Sequence, residues 1–424
     1  MTIAVISPGR ITGRVSAPAG KSAMQRACAL GLLNIGTTVI KNPGKSDDDL
    51  AALSIIRSLG AEAEYLNDEL IINSTGNILP EGVIHCGESG LSLRLFAAIA
   101  ALGNTEVMLE GKGSLLRRPM HFFDETFPAL GITVKSSNGF LPIMVKGSLV
   151  PNDITIDGSV SSQYLTGLLF AFAKAARKQV VITVSDLKSR PYVDLSIQML
   201  RHFGYDIWHE GYNKFIIHPV DPVNRQVTYR VEGDWSSAAF LLVAGAISGE
   251  LQIHGLDLDS VQADRSVLKV LQQCGADIHI EENSIRVTDH NELSGFEFDA
   301  TDCPDLFPPL VALAACCNGI SVIKGISRLT GKESNRADTL KDVFTKMGAG
   351  IRLEDDNMVI NGGRAILAAK VSSHHDHRIA MACAIAALKA DGDVLIEGAE
   401  AVNKSYPDFY RHLKLLGAAV SLTP

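Results

Sequence analysis

The stretch Ser58-Leu59-Gly60-Ala61-Glu62-Ala63-Glu64-Tyr65 closes one kind of pattern and opens another. Before it, residues 48–59 place Leu50, Leu53, Ile56 and Leu59 on one helical stripe. After it, residues 61–65 and 69–73 read as the arms of a hairpin around Leu66-Asn67-Asp68. The same helix–glycine–strand join recurs at Gly131, Gly204, Gly275, Gly348 and Gly417, with successive gaps of 71, 73, 71, 73 and 69 residues counted from Gly60. Further hairpins are predicted around Ser137-Asn138-Gly139, Gly211-Tyr212-Asn213, Glu282-Asn283 and Asp355-Asp356-Asn357. Near-constant spacing of one supersecondary unit marks an internal repeat. Six copies fit.

A second marker repeats with the first, a small polar or acidic turn opening an apolar run of helix length. It falls at Lys21-Ser22, Glu88-Ser89, Ser161-Ser162-Gln163, Trp235-Ser236-Ser237, Pro304-Asp305 and Asp376-His377. Within the first copy, residues 11–17 alternate like a strand, 21–33 carry helical spacing and 37–40 are β-branched. The sixth copy stops after one hairpin arm, and residues 1–20 are surplus at the other end. The expected closure has the N-terminal strands completing the sixth unit. The expected domains are then 21–231 with three repeats, and 1–20 with 232–424 for the other three. The crossings at Ala19-Gly20 and Val231-Glu232-Gly233 would form the hinge. The fold class is α/β (α+β), built of six βαβαββ units.

Composition narrows the function. At 424 residues, two domains are the prior, and 46% hydrophobic with 20% charged residues is a globular balance. The longest apolar runs fall short of the roughly 20 residues a membrane helix needs, so no membrane association is expected. Residues 1–17 show no signal-peptide pattern. Seven cysteines without a Cys-x-x-Cys pair suit reduced thiols, and a cytoplasmic location is expected. The net charge of −8 argues against a nucleic-acid partner. An anionic ligand therefore requires a local gathering of Lys and Arg.

Such residues stand at the helix openings, where free N–H groups and the positive dipole end favour anions. Lys21, Ser22 and Arg26 open the first, Gly90 and Arg94 the second, and Ser161, Ser162 and Gln163 the third. Arg118 begins the segment that follows the second. Asp305 lies ahead of the apolar run 306–315, Lys332-Glu333 and Arg336 form another start, and Arg378 and Lys404 complete the set. Each also has a plain reading, as a cap or a solvated charge. The dense run His374-His375-Asp376-His377 is a poor metal site, because adjacent side chains do not converge on one ion, and no metal or organic cofactor is expected. Cys316-Cys317 and Trp235 read as packing residues.

In order, the chain shows Gly20-Lys21-Ser22 with Arg26, Asp157-Gly158-Ser159-Val160-Ser161-Ser162-Gln163, and Ser189-Arg190-Pro191-Tyr192. Its second half adds Val231-Glu232-Gly233-Asp234, Lys332-Glu333 with Arg336, Asp376-His377-Arg378, and Lys404 before Pro407-Asp408. This succession resembles the 3-phosphoshikimate 1-carboxyvinyltransferase (5-enolpyruvylshikimate-3-phosphate synthase) family over essentially the whole length. The resemblance implies a two-domain enolpyruvyl transferase-like fold, an inverse α/β barrel with three repeats per domain facing across a cleft. It implies transfer of the enolpyruvyl group of phosphoenolpyruvate to the 5-hydroxyl of shikimate 3-phosphate. By position, Lys21, Ser22, Arg26, Ser161, Ser162, Gln163, Ser189, Asp305 and Lys332 would hold shikimate 3-phosphate. Lys21, Gly90, Arg118, Gln163, Arg336, Arg378 and Lys404 would surround phosphoenolpyruvate.

The chemistry needs a base for the attacking hydroxyl and an acid for the enol methylene. Asp305, kept ionised by a helix dipole, is the expected base. Glu333 is the expected acid, with Lys21 as the alternative proton carrier. The chain departs from the family at Glu88-Ser89-Gly90-Leu91, where Asn-Ala-Gly-Thr is usual, at Leu95, at Arg328 and at Thr330-Gly331. Glu88 so near an anion site calls for a cation facing it. The related transferase acting on UDP-N-acetylglucosamine typically carries a reactive Cys in the second unit's long loop. Residues 111–120 contain none. A monomer is expected.

Overall fold

The computed structural model describes residues 1–289 and 292–424. The chain folds as two compact units, Ala19–Val231 and Met1–Pro18 with Glu232–Pro424. Among the described residues the repeat appears as six four-stranded sheets, three in each unit.

In the sheet that holds the 58–65 stretch, the order is Val227–Arg230, Gly36–Lys41, Glu69–Ser74, Glu62–Leu66. The first pair is parallel and the other two are antiparallel. Gly60 turns the chain between helix Asp47–Ser58 and the hairpin with φ +103°, a backbone geometry that side chains rarely take. That physical need is what repeats along the sequence. The helix begins with a capping box in which Ser46 and Asp49 satisfy each other's backbone N–H groups.

Three helices form the middle of each unit. Gly90–Ala100 is buried at every position, and Lys21–Leu33 and Ser162–Ala175 nearly so. Their counterparts Trp235–Ser248 and His377–Ala387 are buried throughout, beside Phe307–Cys316. A helix apolar on all sides belongs inside a core. The sheets wrap these helices, and outer strands such as Glu62–Leu66 alternate between exposed and half-buried residues. Close packing inside has a specific device. A Cβ on Gly167 would lie 2.5 Å from the Arg94 carbonyl oxygen, so glycine lets the second and third helices approach.

The closure of the rings differs in part from the sequence reading. Ile3–Ile6 does complete the sixth sheet, lying between Val394–Glu397 and Val420–Thr423 and antiparallel to both. Ile11–Ser16 does not lead the first repeat. It pairs in parallel with Gly249–His254 in the fourth sheet, and the first repeat takes Val227–Arg230 as its leading strand instead. Alternation identifies a strand and its faces but carries no label for its partner. The cysteine pair also splits, with Cys317 buried and Cys316 partly exposed. Trp235 is a packing residue as expected, fully buried with its indole N–H donating to the Asp257 carbonyl at 3.0 Å. Among the described residues, no helix is long and apolar enough to cross a membrane.

Candidate active site

In Ala19–Val231 the three central helices are laced together where they start. Gln25, one turn into the first, accepts hydrogen bonds from Ser89 Oγ at 2.8 Å and Ser92 Oγ at 2.9 Å at the start of the second. Arg94 on the second donates to Gln163 Oε1 on the third at 2.8 Å, and its guanidinium lies 5.1 Å from the Tyr164 ring. Thr166 on the third meets Ser196 Oγ at 3.1 Å, and Ser196 in turn accepts from Arg26 Nε of the first at 2.9 Å. Local sequence dictates this end. The second and third helices each follow the leading strand of their own sheet, Val83–His85 and Ile154–Asp157, and so open outside the carboxyl ends of those strands, whereas the first follows Ile11–Ser16 of the fourth sheet.

Lys21 begins its helix and pairs with Asp48 at 2.9 Å. Gly20, not Ser22, occupies the cap position, and Ser22 instead gives its carbonyl to Arg26 NH1 at 2.8 Å. Arg26 is 1% exposed, and its remaining contact is the Tyr192 carbonyl at 3.3 Å. Burial pulls the guanidinium pKa down to about 10. Among the described residues every one of its hydrogen-bond partners is neutral. Ser161 caps its helix by accepting from the Gln163 N–H at 3.3 Å. Ser189, buried with φ +53°, directly precedes helix Arg190–His202, which supplies Tyr192 and Ser196.

Gly90 marks the convergence of two cations. A Cβ there would lie 2.8 Å from Arg118 NH1 and equally 2.8 Å from Arg94 NH1. Glycine leaves that space to the ends of the two guanidiniums, which a side chain would displace. Glu88 reaches Ser114 Oγ at 3.5 Å, and Ser114 also accepts from Arg118 NH2 at 3.4 Å. The Glu88 carboxylate lies so near Gly113 that a Cβ there would be 2.3 Å away.

In the other unit Arg336 is the hub. Its guanidinium donates to Asp376 Oδ2 at 2.8 Å, Asp305 Oδ1 at 2.7 Å and Glu333 Oε2 at 2.6 Å. Arg378 donates to Asp305 Oδ2 at 3.1 Å and, at 3.5 Å, to the Ser236 carbonyl in the first turn of Trp235–Ser248. Lys332 stands 3.5 Å from Asp305, and Lys404 3.4 Å from Glu333. Asp376 caps its helix through the Arg378 N–H at 3.0 Å. Four cations and three carboxylates thus interlock across three helix starts. Burial works against the charge on Asp305, but Arg378, Lys332 and Arg336 outweigh it and hold the carboxyl well below the usual range. Burial lowers the pKa of Lys332, against the pull of Asp305.

Each unit therefore gathers its own share of the sequence-predicted residues. Reading the sequence missed Asp48, Gln25 and Ser196, gave Asp376 no partner, and offered Arg94 or Arg118 to Glu88 where Arg94 donates to Gln163. Arg94 was singled out with Gly90, and a residue four positions later shares its helix face. The others act through partners distant in sequence. Among the described residues, no His, Cys, Asp or Glu group is arranged to hold a metal ion.

A family model described as EPSP synthase (3-phosphoshikimate 1-carboxyvinyltransferase) matches residues 5–413. A 3-phosphoshikimate 1-carboxyvinyltransferase of Clostridium kluyveri is 35% identical over 416 residues, 98% of this chain and 97% of that one. Its namesake in Clostridium perfringens is 35% identical, covering 97% and 98%. Among solved structures, EPSP synthase from Acinetobacter baumannii superposes with a TM-score of 0.85 at 26% identity, covering 100% of both chains. The enolpyruvyl transferase NikO from Streptomyces tendae shares the fold, with a TM-score of 0.79 at 19% identity over 100% of this chain and 99% of its own.

Proposed function

The chain belongs to the EPSP synthase (3-phosphoshikimate 1-carboxyvinyltransferase) family, and from that premise we propose how its residues divide the work as it moves the enolpyruvyl group of phosphoenolpyruvate onto the 5-hydroxyl of shikimate 3-phosphate. Phosphate leaves, and the product serves the shikimate pathway.

Arg26 carries the reading. A fully buried guanidinium surrounded by neutral acceptors lacks its counter-charge, and burying an unbalanced charge is costly. An anionic substrate supplies the missing charge. Arg26, Lys21, Ser22, Ser161, Ser162, Gln163, Ser189, Asp305 and Lys332 are assigned to shikimate 3-phosphate. Lys21, Gly90, Arg118, Gln163, Arg336, Arg378 and Lys404 are assigned to phosphoenolpyruvate, a compact ligand with a phosphate and a carboxylate that suit paired guanidiniums.

Protonation of the phosphoenolpyruvate methylene makes the neighbouring carbon electrophilic. The 5-hydroxyl attacks that carbon and gives its proton to a base. Elimination of phosphate, with loss of a proton from the new methyl group, restores the double bond. Asp305 is the base, Glu333 the acid and then the base of elimination, and Lys21 the alternative carrier. Asp305 in ion pairs with three cations is a feeble base. An anion that takes over Arg336 and Arg378 frees its carboxylate and restores its basicity.

Phosphate release from phosphoenolpyruvate that requires shikimate 3-phosphate is the test, and its absence ends the reading. Asp305→Asn should cut turnover by ~10²–10⁴-fold, the usual worth of a positioned base. Arg26→Met should raise the KM for shikimate 3-phosphate by ~10–100-fold, as expected for loss of a charge-assisted hydrogen bond.

A further inference from the structure

Gln25 takes no part in the scheme above, yet it is fully buried at the junction of two helix starts. Its Oε1 receives both Ser89 Oγ and Ser92 Oγ, at 2.8 and 2.9 Å. Ser89 Oγ meanwhile accepts from the Ser92 N–H at 3.2 Å, so its own hydrogen is directed to Gln25. The amide's other end has no hydrogen-bond partner. A buried donor without a partner costs ~1–3 kcal/mol, and a methionine would fill the same space at no such cost. The acceptor oxygen, not packing, is what glutamine adds here.

Its location says what the acceptor is for. Gln25 lies four residues after Lys21, on the same face of the helix. Ser89 and Ser92 flank Gly90, over which the Arg94 and Arg118 guanidiniums meet. The geometry points to Gln25 as a positioning residue that sets the spacing between Lys21 and the Gly90 turn, and through it the affinity for phosphoenolpyruvate. This rests on the assignment of Lys21, Gly90 and Arg118 to that substrate. Arg26 leaves the helix toward Ser196 and Tyr192 instead, so of the residues assigned to shikimate 3-phosphate only Lys21 and Gln163 are shared with the clamp.

Gln25→Met tests the inference by steady-state kinetics with each substrate varied in turn, beside a thermal melt. The expected result is a KM for phosphoenolpyruvate raised about tenfold, a smaller rise of about threefold or less for shikimate 3-phosphate, which shares only Lys21 and Gln163, and a melting temperature within a few degrees of the parent. Ser89→Ala with Ser92→Ala removes the donors from the opposite side and should give the same split, which keeps the test open if the methionine variant does not fold. Unchanged KM values in a folded variant, or two that rise by the same factor, would overturn the positioning role while wild-type turnover stands. A wild-type chain without turnover that depends on shikimate 3-phosphate would instead remove the substrate assignment, and the inference with it.

Discussion

At the scale of single residues, charge burial is the theme. Arg26 and Asp305 show its two outcomes, a cation whose protein partners are all neutral and a carboxylate crowded by cations. Asp49 shows a third. Burial, opposed by two hydrogen bonds from Ser46, raises its pKa to about 7, and Asp48 beside it adds to the rise. The sign follows from linkage. A carboxyl whose pKa is higher in the folded chain contributes stability that is complete below its unfolded value near 3.9 and is lost as pH climbs through about 7. Between pH 5 and pH 8 the wild-type chain should lose stability on the order of 2–4 kcal/mol from this group. Asp49→Asn keeps an acceptor for Ser46 but does not ionise. Urea unfolding at the two pH values should therefore show a flatter dependence in the variant. Equal slopes would refute the assignment.

Among the elements, the helix starts matter more than the helices. Hydrogen bonds accepted by Gln25 and Ser196 and donated by Arg94 hold three starts in one cluster, so a displaced helix displaces the site. Gly167→Ala is the sharpest probe of that dependence. Its methyl group would press on the Arg94 backbone carbonyl, and overpacking of this kind typically costs ~1–3 kcal/mol. The variant should unfold at lower denaturant and also bind phosphoenolpyruvate more weakly, because Arg94 and Gln163 are carried on the two helices forced apart. Full retention of both properties would mean that the helices adjust without consequence. The existence of these elements was readable, since each has strong periodicity and a glycine or a cap at its ends. The hydrogen bonds between them were not, because they join residues about 30 to 170 positions apart.

For the molecule as a whole, strand exchange decides which pieces stand alone. All three sheets of Ala19–Val231 are built from strands within that range. The fragment 19–231 should therefore fold cooperatively by itself, seen as a single sharp transition in circular dichroism. The fragment 232–424 lacks Ile3–Ile6 and Ile11–Ser16, leaving two of its three sheets a strand short. It should remain unfolded or aggregate, since unpaired strand edges invite association. Ile3 lies opposite Thr423 in antiparallel register, so joining residues 1–18 after Pro424 through a short turn should rescue it. A fragment 232–424 that folds as well as the joined form would show the exchanged strands to be dispensable.

The repeat, its glycine punctuation, the helix-opening cations and the ordered motifs were all legible in the sequence, because left-handed turns and apolar periodicity are local demands that residue type must meet. What the tertiary structure alone decided was partnership. It gave Ile11–Ser16 to the fourth sheet and not the first, set two guanidiniums over Gly90, and tied Asp305 to Arg336 and Arg378. Strand pairing and ion pairing are satisfied by any complementary group that comes within reach. Which one does so is settled only when the whole chain packs.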